Sequence, residues 1–152
     1  MTTMRLSVFA IFVSLAFTGV LLAKDKEKDE GESENEVTVE KLILVKDTGK
    51  DFKPVKTFKP TDIFGVLVQL SEAKEGTKVK GVWTIVDAGG MHDKKILEKK
   101  VEFTEATIKS AKDPTRVDFT LTHDDPYPTG DYKFDVYLNG ELADTVEFTI
   151  EE

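Results

Sequence analysis

The stretch from Pro126 to Ile150 constrains the fold more than any other part of this chain. It opens with a Pro- and Gly-rich turn, and apolar residues then occupy every second position, at Tyr132, Phe134, Val136 and Leu138. Asn139-Gly140 follows, and a second run places on one parity Leu142, Val146, Phe148 and Ile150. Alternation on both sides of a two-residue Asn-Gly link predicts a β-hairpin with one buried face. An all-β fold is therefore expected.

Shorter apolar runs divide the rest of the sequence into strands separated by turns. These further strands are expected at 37–45, 63–70, 77–86, 96–103 and 116–122. The inward parity of the first run changes near Lys41, which predicts either a β-bulge or a strand that changes sheets. We expect a loop over 46–60 and either a short strand or a helical turn over 104–112. About seven strands without a long helical pattern predict an antiparallel sandwich of two sheets.

The first 36 residues differ in composition from the rest. Residues 1–23 carry Arg5 as their only charge, have an apolar centre and end on Ala23 before a charged run. This order predicts a secretory signal peptide, the alternative being a membrane anchor, although about 17 apolar residues is short for a bilayer span. Residues 24–36 hold seven acidic residues, three lysines and no apolar residue, which predicts a disordered acidic linker. The folded domain is expected over 37–152, secreted or periplasmic, with no membrane attachment after cleavage.

Composition excludes several classes of chemistry. The chain has no cysteine, so disulfides, thiolate nucleophiles and Cys-ligated metals are absent. Its formal net charge of −8 disfavours nucleic acid and anionic lipid as partners, because both attract basic surfaces. The predicted domain contains no GxSxG motif, no phosphate-binding glycine loop and no distinct carboxylate pair. We therefore expect a protein that is not an enzyme.

Metal binding is the chemistry for which the sequence offers candidate ligands. The two histidines lie in predicted loops, one in Met91-His92-Asp93 and the other in His123-Asp124-Asp125. If these loops met at one end of the sandwich, a transition metal would find imidazoles, a thioether and carboxylates. We expect no cofactor and interpret both histidines as ordinary exposed loop residues, with metal binding as the alternative. A weak Ca²⁺ site in the inter-strand loops is a second hypothesis, with candidate ligands Asp87, Asp93, Asp124, Asp125 and Asp131.

Two aromatic residues give the sequence a family resemblance. Trp83 lies in the middle of the third predicted strand, and Tyr132 opens a later strand after a Pro-Thr-Gly-Asp turn. A buried Trp on strand C and a Tyr at the entry to strand F are features of immunoglobulin-like sandwiches. Together with FKPTDIFGVLVQL, GTKVKGVWTIVD and PTGDYKFDVYLNGELADTVEFTI, they make 37–152 resemble small secreted bacterial domains of the immunoglobulin-like or fibronectin-III-like type. The chain departs from antibody domains in lacking both cysteines.

The resemblance implies structural roles for Trp83 and Tyr132 and implies no activity, and the hairpin pattern gives structural roles to Asn139 and Gly140. Our leading hypothesis is an exported, non-catalytic interaction module that binds an unidentified protein or envelope polymer through a sheet face or its loops. The alternative is a periplasmic metal-binding or metal-transfer domain that uses the loop histidines and aspartates. Tyr127 and Tyr137 are candidates for an aromatic surface that binds sugars, because one lies in a loop and the other points outward from its strand. The oligomeric state is left open.

Overall fold

Alternating apolar positions in the sequence become two stacked β-sheets. The computed structural model describes residues 36–46 and 53–152. Within those ranges it contains eight strands and one short helix. Their bounds are β1 Val39–Lys46, β2 Thr57–Phe58, β3 Phe64–Leu70, β4 Lys78–Ala88, β5 Met91–Glu102, α1 Glu105–Ser110, β6 Arg116–Leu121, β7 Gly130–Leu138 and β8 Glu141–Ile150.

The strands form a three-stranded sheet in the order β1-β3-β6 and a five-stranded sheet in the order β2-β8-β7-β4-β5. All neighbouring strands are antiparallel except β2, which pairs in parallel with the end of β8. The predicted all-β, two-sheet, antiparallel sandwich is confirmed. Strand β2 was not predicted, because two residues are too few to show alternation. Phe58 anchors it by packing against Phe64 and Phe148, at ring-centroid distances of 4.8 and 5.3 Å.

Aromatic rings fill the space between the sheets. Trp83, on the central strand β4, is fully buried. Its ring centroid lies 4.7 Å from that of Phe134 and 5.9 Å from that of Phe148, with both rings edge-on to the indole. The indole Nε1 is buried and, among the described residues, has no hydrogen-bond partner.

The last hairpin has the turn that its sequence predicts. Asn139 and Gly140 both have positive φ, 50° and 96°, as a type I′ link requires. The Asn139 side chain accepts a hydrogen bond from the backbone N–H of Lys78 at 3.0 Å, which ties the turn to the start of β4. At the other end of the hairpin, the Tyr132 hydroxyl donates to the carbonyl oxygen of Pro128 at 2.7 Å. This is the tyrosine corner of immunoglobulin-like sandwiches.

Bulges decide which side chains face the core. The predicted bulge in β1 is confirmed, because the pairing with β3 shifts between Val39 and Lys41. A second bulge, not predicted, lies in β8, where Val136 pairs with Asp144 but Tyr137 pairs with Leu142. The extra residue reverses the parity of the first part of β8. Leu142 is therefore 57% exposed, and its predicted place on the inward parity is wrong.

One further segment departs from the sequence interpretation, and the structure decides a second that the sequence left open. The predicted loop at Met91-His92-Asp93 is wrong, because Gly89 and Gly90 form a two-residue turn with positive φ and β5 begins at Met91. The open choice over 104–112 is resolved as helix α1. Thr104 caps it, since its hydroxyl accepts from the Thr107 backbone N–H and the Thr107 hydroxyl accepts from the Thr104 backbone N–H.

The predicted signal peptide at 1–23 lies outside the described residues. So does the predicted linker at 24–36, apart from Glu36, which is exposed. The described residues contain no helix with the length and apolar character that crossing a bilayer requires.

Candidate functional site

The first pair of predicted metal ligands lies at the start of β5. His92 points into solvent, with 68% of its side chain exposed, and its Nδ1 lies 3.3 Å from Oδ1 of Asp87 across the hairpin. The Met91 sulfur lies 3.6 Å from Nζ of Lys94. A lysine ammonium beside the thioether disfavours a cation at that sulfur, because the two positive charges repel.

The second pair lies in the turn before β7. The His123 ring packs edge-on against Tyr127, with ring centroids 4.2 Å apart, and against Phe64 at 5.7 Å. Its Nδ1 is hydrogen-bonded to the backbone carbonyl of Asp125. Asp124 is exposed beside it. The imidazole thus belongs to an aromatic cluster at one end of the sandwich.

The structure does not assemble these residues into a metal centre. Across 36–46 and 53–152, no three His, Asp or Glu side chains are grouped as a bound metal would need. Asp87 and Asp131, two of the Ca²⁺ candidates, face each other on β4 and β7, and His92 is the neighbour of Asp87 on the other side. Asp93 follows His92 in β5.

The two tyrosines proposed for sugar binding have different environments. Tyr127 is half-buried between Phe64 and Tyr132, and burial raises the pKa of its hydroxyl. It is therefore part of the packed end of the sandwich. Tyr137 lies on the opposite face of β7 from the core, and Nζ of Lys80 lies 4.1 Å from its ring centroid. Only Tyr137 belongs to an open surface.

That surface is the outer face of the five-stranded sheet, which we define by the side chains pointing away from the core on four adjacent strands. Its members include Lys78, Lys80, Val82, Thr84, Asp87, Lys95, Glu98, Lys100, Glu102, Asp131, Lys133, Asp135, Tyr137, Leu142, Thr145 and Glu147. One row across it joins Lys100, Lys80, Tyr137 and Leu142. Because the β8 bulge turns Leu142 outward, this row combines cations, an aromatic ring and an exposed apolar residue.

Ion pairs and hydrogen bonds fix the centre of the outer face. Asp135 is buried, with its Oδ1 accepting from the Thr145 hydroxyl at 2.6 Å and its Oδ2 lying 3.2 Å from Nζ of Lys133. Hydrogen bonds from Lys95 and then Lys100 hold the pKa of Glu98 below its ordinary value. The face is therefore a set of positioned polar groups.

One end of the outer face is a groove of about 570 Å³ beside the Asn139-Gly140 turn. Its lining is formed by Lys78, Val79, Lys80, Lys100, Val101, Glu102 and Gly140. A Cβ added at Gly140 would meet nothing within 4 Å, so the groove is open at this rim. The sequence interpretation included Tyr137 but missed the lysines. Recognising Gly89-Gly90 as a hairpin turn would have placed Lys80 within one residue of its partner Lys100.

Comparison with known proteins bears on the fold. No protein-family model matches the chain, and no curated protein matches it. Among solved structures, an immunoglobulin-like protein from Pseudomonas aeruginosa is similar, with a TM-score of 0.53 and 14% identity over 79% of this chain and 100% of that chain. The immunoglobulin-like resemblance is thereby confirmed as a fold.

Two other solved structures are less similar. A Pseudomonas fluorescens alkylpurine DNA glycosylase, AlkC, bound to DNA containing an abasic site analog has a TM-score of 0.47 and 14% identity, over 77% of this chain and 31% of that chain. A CARDB domain from Pyrococcus furiosus in complex with di-metal ions has a TM-score of 0.40 and 14% identity, over 76% of this chain and 92% of that chain.

Proposed function

We propose that this chain is an exported, non-catalytic interaction module, which binds a protein or an envelope polymer through the outer face of its five-stranded sheet. The observation that carries the proposal is the row of Lys100, Lys80, Tyr137 and Leu142 across four adjacent strands. Leu142 is 57% exposed and next to an outward-facing Tyr. Aromatic and apolar side chains among positioned polar groups are typical of protein surfaces that bind partners.

Export is supported by the composition of residues 1–23, and the absence of known catalytic motifs supports a binding role. Mass spectrometry of the exported protein should find its N-terminus near Lys24. A chain that retains Met1 in a membrane fraction would contradict the export proposal. No grouping of the described residues favours the metal-transfer alternative. The acidic composition favours a partner other than nucleic acid.

The binding role is tested by retention on isolated cell-envelope material from the source organism. Replacing Tyr137 by Ala together with Leu142 by Ser should abolish most of the retention, because the aromatic and the apolar side chain of the row are both shortened. Ile63→Ser is the matched control, since Ile63 is the other large exposed apolar residue of the described chain, at 40%. Thermal melting verifies that each variant is folded. Equal retention of both variants and the parent would refute a role for the outer face.

A further inference from the structure

The groove at the end of the outer face concentrates positive charge in an acidic protein. Lys80 and Lys100 lie directly opposite each other on β4 and β5. Like charges in that position destabilise a sheet. Two other charged pairs on the same face are complementary, because Lys78 lies opposite Glu102 and Lys133 lies opposite Glu147, whereas Asp87 and Asp131 form a like-charged acidic pair at the far end. Functional sites are among the places where such locally unfavourable arrangements occur, and here the two lysines line a groove.

Nearby carboxylates leave the lysine charges only partly neutralised. Oε1 of Glu98 lies 3.3 Å from Lys100, but its Oε2 is already paired with Lys95 at 3.1 Å. Lys80 is held over the ring of Tyr137, which attracts a cation without cancelling its charge. Within the described residues, no carboxylate forms an ion pair with Lys78 or Lys80. The groove therefore offers cations to an anionic ligand, although the whole chain carries −8.

The remaining groups of the groove narrow the class of ligand. Glu102 places a carboxylate among the three lysines, and Tyr137 presents a phenol at the neighbouring position. A carboxylate accepts hydrogen bonds from hydroxyl groups and repels all anions, so it disfavours the closely spaced charges of a polyphosphate more than a polymer with one carboxylate per sugar. The site therefore suits a ligand that carries both acid groups and many hydroxyl donors. Acidic sugars have this combination, whereas an acidic polypeptide offers carboxylates with few hydroxyls.

We propose that the groove of Lys78, Lys80, Lys100 and Glu102 binds a polysaccharide that carries carboxylate groups. This inference rests on the proposed binding role of the outer face and names the chemistry of its partner. The lysine ammonium groups pair with the sugar carboxylates, and Glu102 accepts from sugar hydroxyls. The open rim at Gly140 allows a polymer to continue beyond the groove.

The test uses the full-length protein and oligomers of polygalacturonate, with binding measured by calorimetry. The fully methyl-esterified oligomer is the matched ligand control, because it keeps the backbone and loses the charge. We expect the parent to bind the acid form and not the ester, with affinity that falls as salt is added. The pair Lys80→Gln and Lys100→Gln should weaken binding by about fivefold to twentyfold, since exposed ion pairs contribute up to about fivefold each.

Control variants distinguish binding in the groove from a general effect of the net charge of the protein. Lys112→Gln removes an equal charge from an exposed position after α1 and should leave binding unchanged. Lys80→Gln could alter the structure because Lys80 contacts the Tyr137 ring. Lys100→Gln alone, at an exposed position without that contact, is therefore compared directly with Lys112→Gln. An equal loss in Lys112→Gln and Lys100→Gln would overturn the assignment of the groove.

Other results would also overturn the inference. Equal binding of the ester would show that charge is not recognised, and stronger binding of poly-glutamate would make the partner an acidic polypeptide. If inorganic phosphate displaced the oligomer at equal concentration, the groove would bind anions in general and would not be specific for acidic sugars. If envelope retention needs Tyr137 and Leu142 but survives Lys80→Gln with Lys100→Gln, the binding role stands and the acidic-sugar inference fails. If retention survives both pairs, the binding role fails as well.

Discussion

Gly81 is the position where one added methyl group should reveal how tightly the two sheets pack. It lies on the core face of β4, and a Cβ built there would be 2.5 Å from Cζ of Phe134 and 2.8 Å from Cδ1 of Phe119. Carbon atoms pack at about 3.5–4.0 Å, so both rings would have to move. Both rings are fully buried, and Phe134 also packs against Trp83 at a centroid distance of 4.7 Å.

The expected effect of Gly81→Ala is a net loss of stability. Overpacking of a core costs about 1–3 kcal/mol, and replacing a strand Gly by Ala returns roughly 0.5–1 kcal/mol. Contacts of 2.5 and 2.8 Å correspond to the upper part of the overpacking range, about 2–3 kcal/mol, so we predict that the free energy of unfolding falls by about 1–2.5 kcal/mol. Urea denaturation followed by the fluorescence of Trp83, the only tryptophan of the chain, measures this loss. A variant as stable as the parent would refute the packing described around β4.

A second substitution identifies the clash as the cause. Phe134→Leu removes the ring that approaches Gly81 most closely. Combined with Gly81→Ala, it should lose less stability than the sum of the single variants, with a coupling free energy of at least about 0.5 kcal/mol. Strict additivity would mean that the methyl group and the ring do not meet.

Three further predictions follow from the same core and its turns. Trp83→Ala should lower the free energy of unfolding by about 3–5 kcal/mol in urea denaturation, since a fully buried ring is deleted; a change under about 1 kcal/mol would contradict its burial. Gly140→Val should cost more than about 1 kcal/mol by the same measurement, although the site is open, because its φ of 96° resists a β-branched residue; an unchanged denaturation midpoint would refute the turn. Burial, with a smaller contribution from Tyr127, raises the pKa of Tyr132 to about 12. The neutral hydroxyl therefore contributes its full share to the free energy of unfolding below about pH 10, and this contribution is lost as the pH rises towards 12. Tyr132→Phe should flatten that alkaline decline in thermal melting and, by removing the bond to Pro128, should cost about 0.5–1.5 kcal/mol at neutral pH; a parallel decline in both proteins would contradict the pKa shift.

Local periodicity accounts for what the sequence could predict of the fold. Alternation and Asn139-Gly140 specify the last hairpin because the turn residues and the buried parity depend on neighbouring positions only. The same reasoning places Trp83 on a central strand and finds the bulge near Lys41. It fails at Leu142, because the extra residue in β8 is a property of how β8 pairs with β7.

The candidate site depended on pairing between strands, and for this reason most of it was not predicted. Tyr137 could be identified as outward-facing from its own strand. The position of Lys80 opposite Lys100 could not be predicted in this way. It depends on the register between β4 and β5, which is shifted by an irregularity between Trp83 and Thr84. Interpreting Gly89-Gly90 as part of a loop hid that register.

Protection of lysines on the envelope-bound protein is the most direct test of the proposed binding face. The full-length protein would be acylated with a lysine-specific reagent, free and bound to isolated envelope material, and each lysine quantified by mass spectrometry. We predict that Lys80, Lys100 and Lys133 lose reactivity on binding, while Lys109 and Lys112, near α1, react as in the free protein. Unchanged reactivity on the outer face, with protection near α1 instead, would contradict the account.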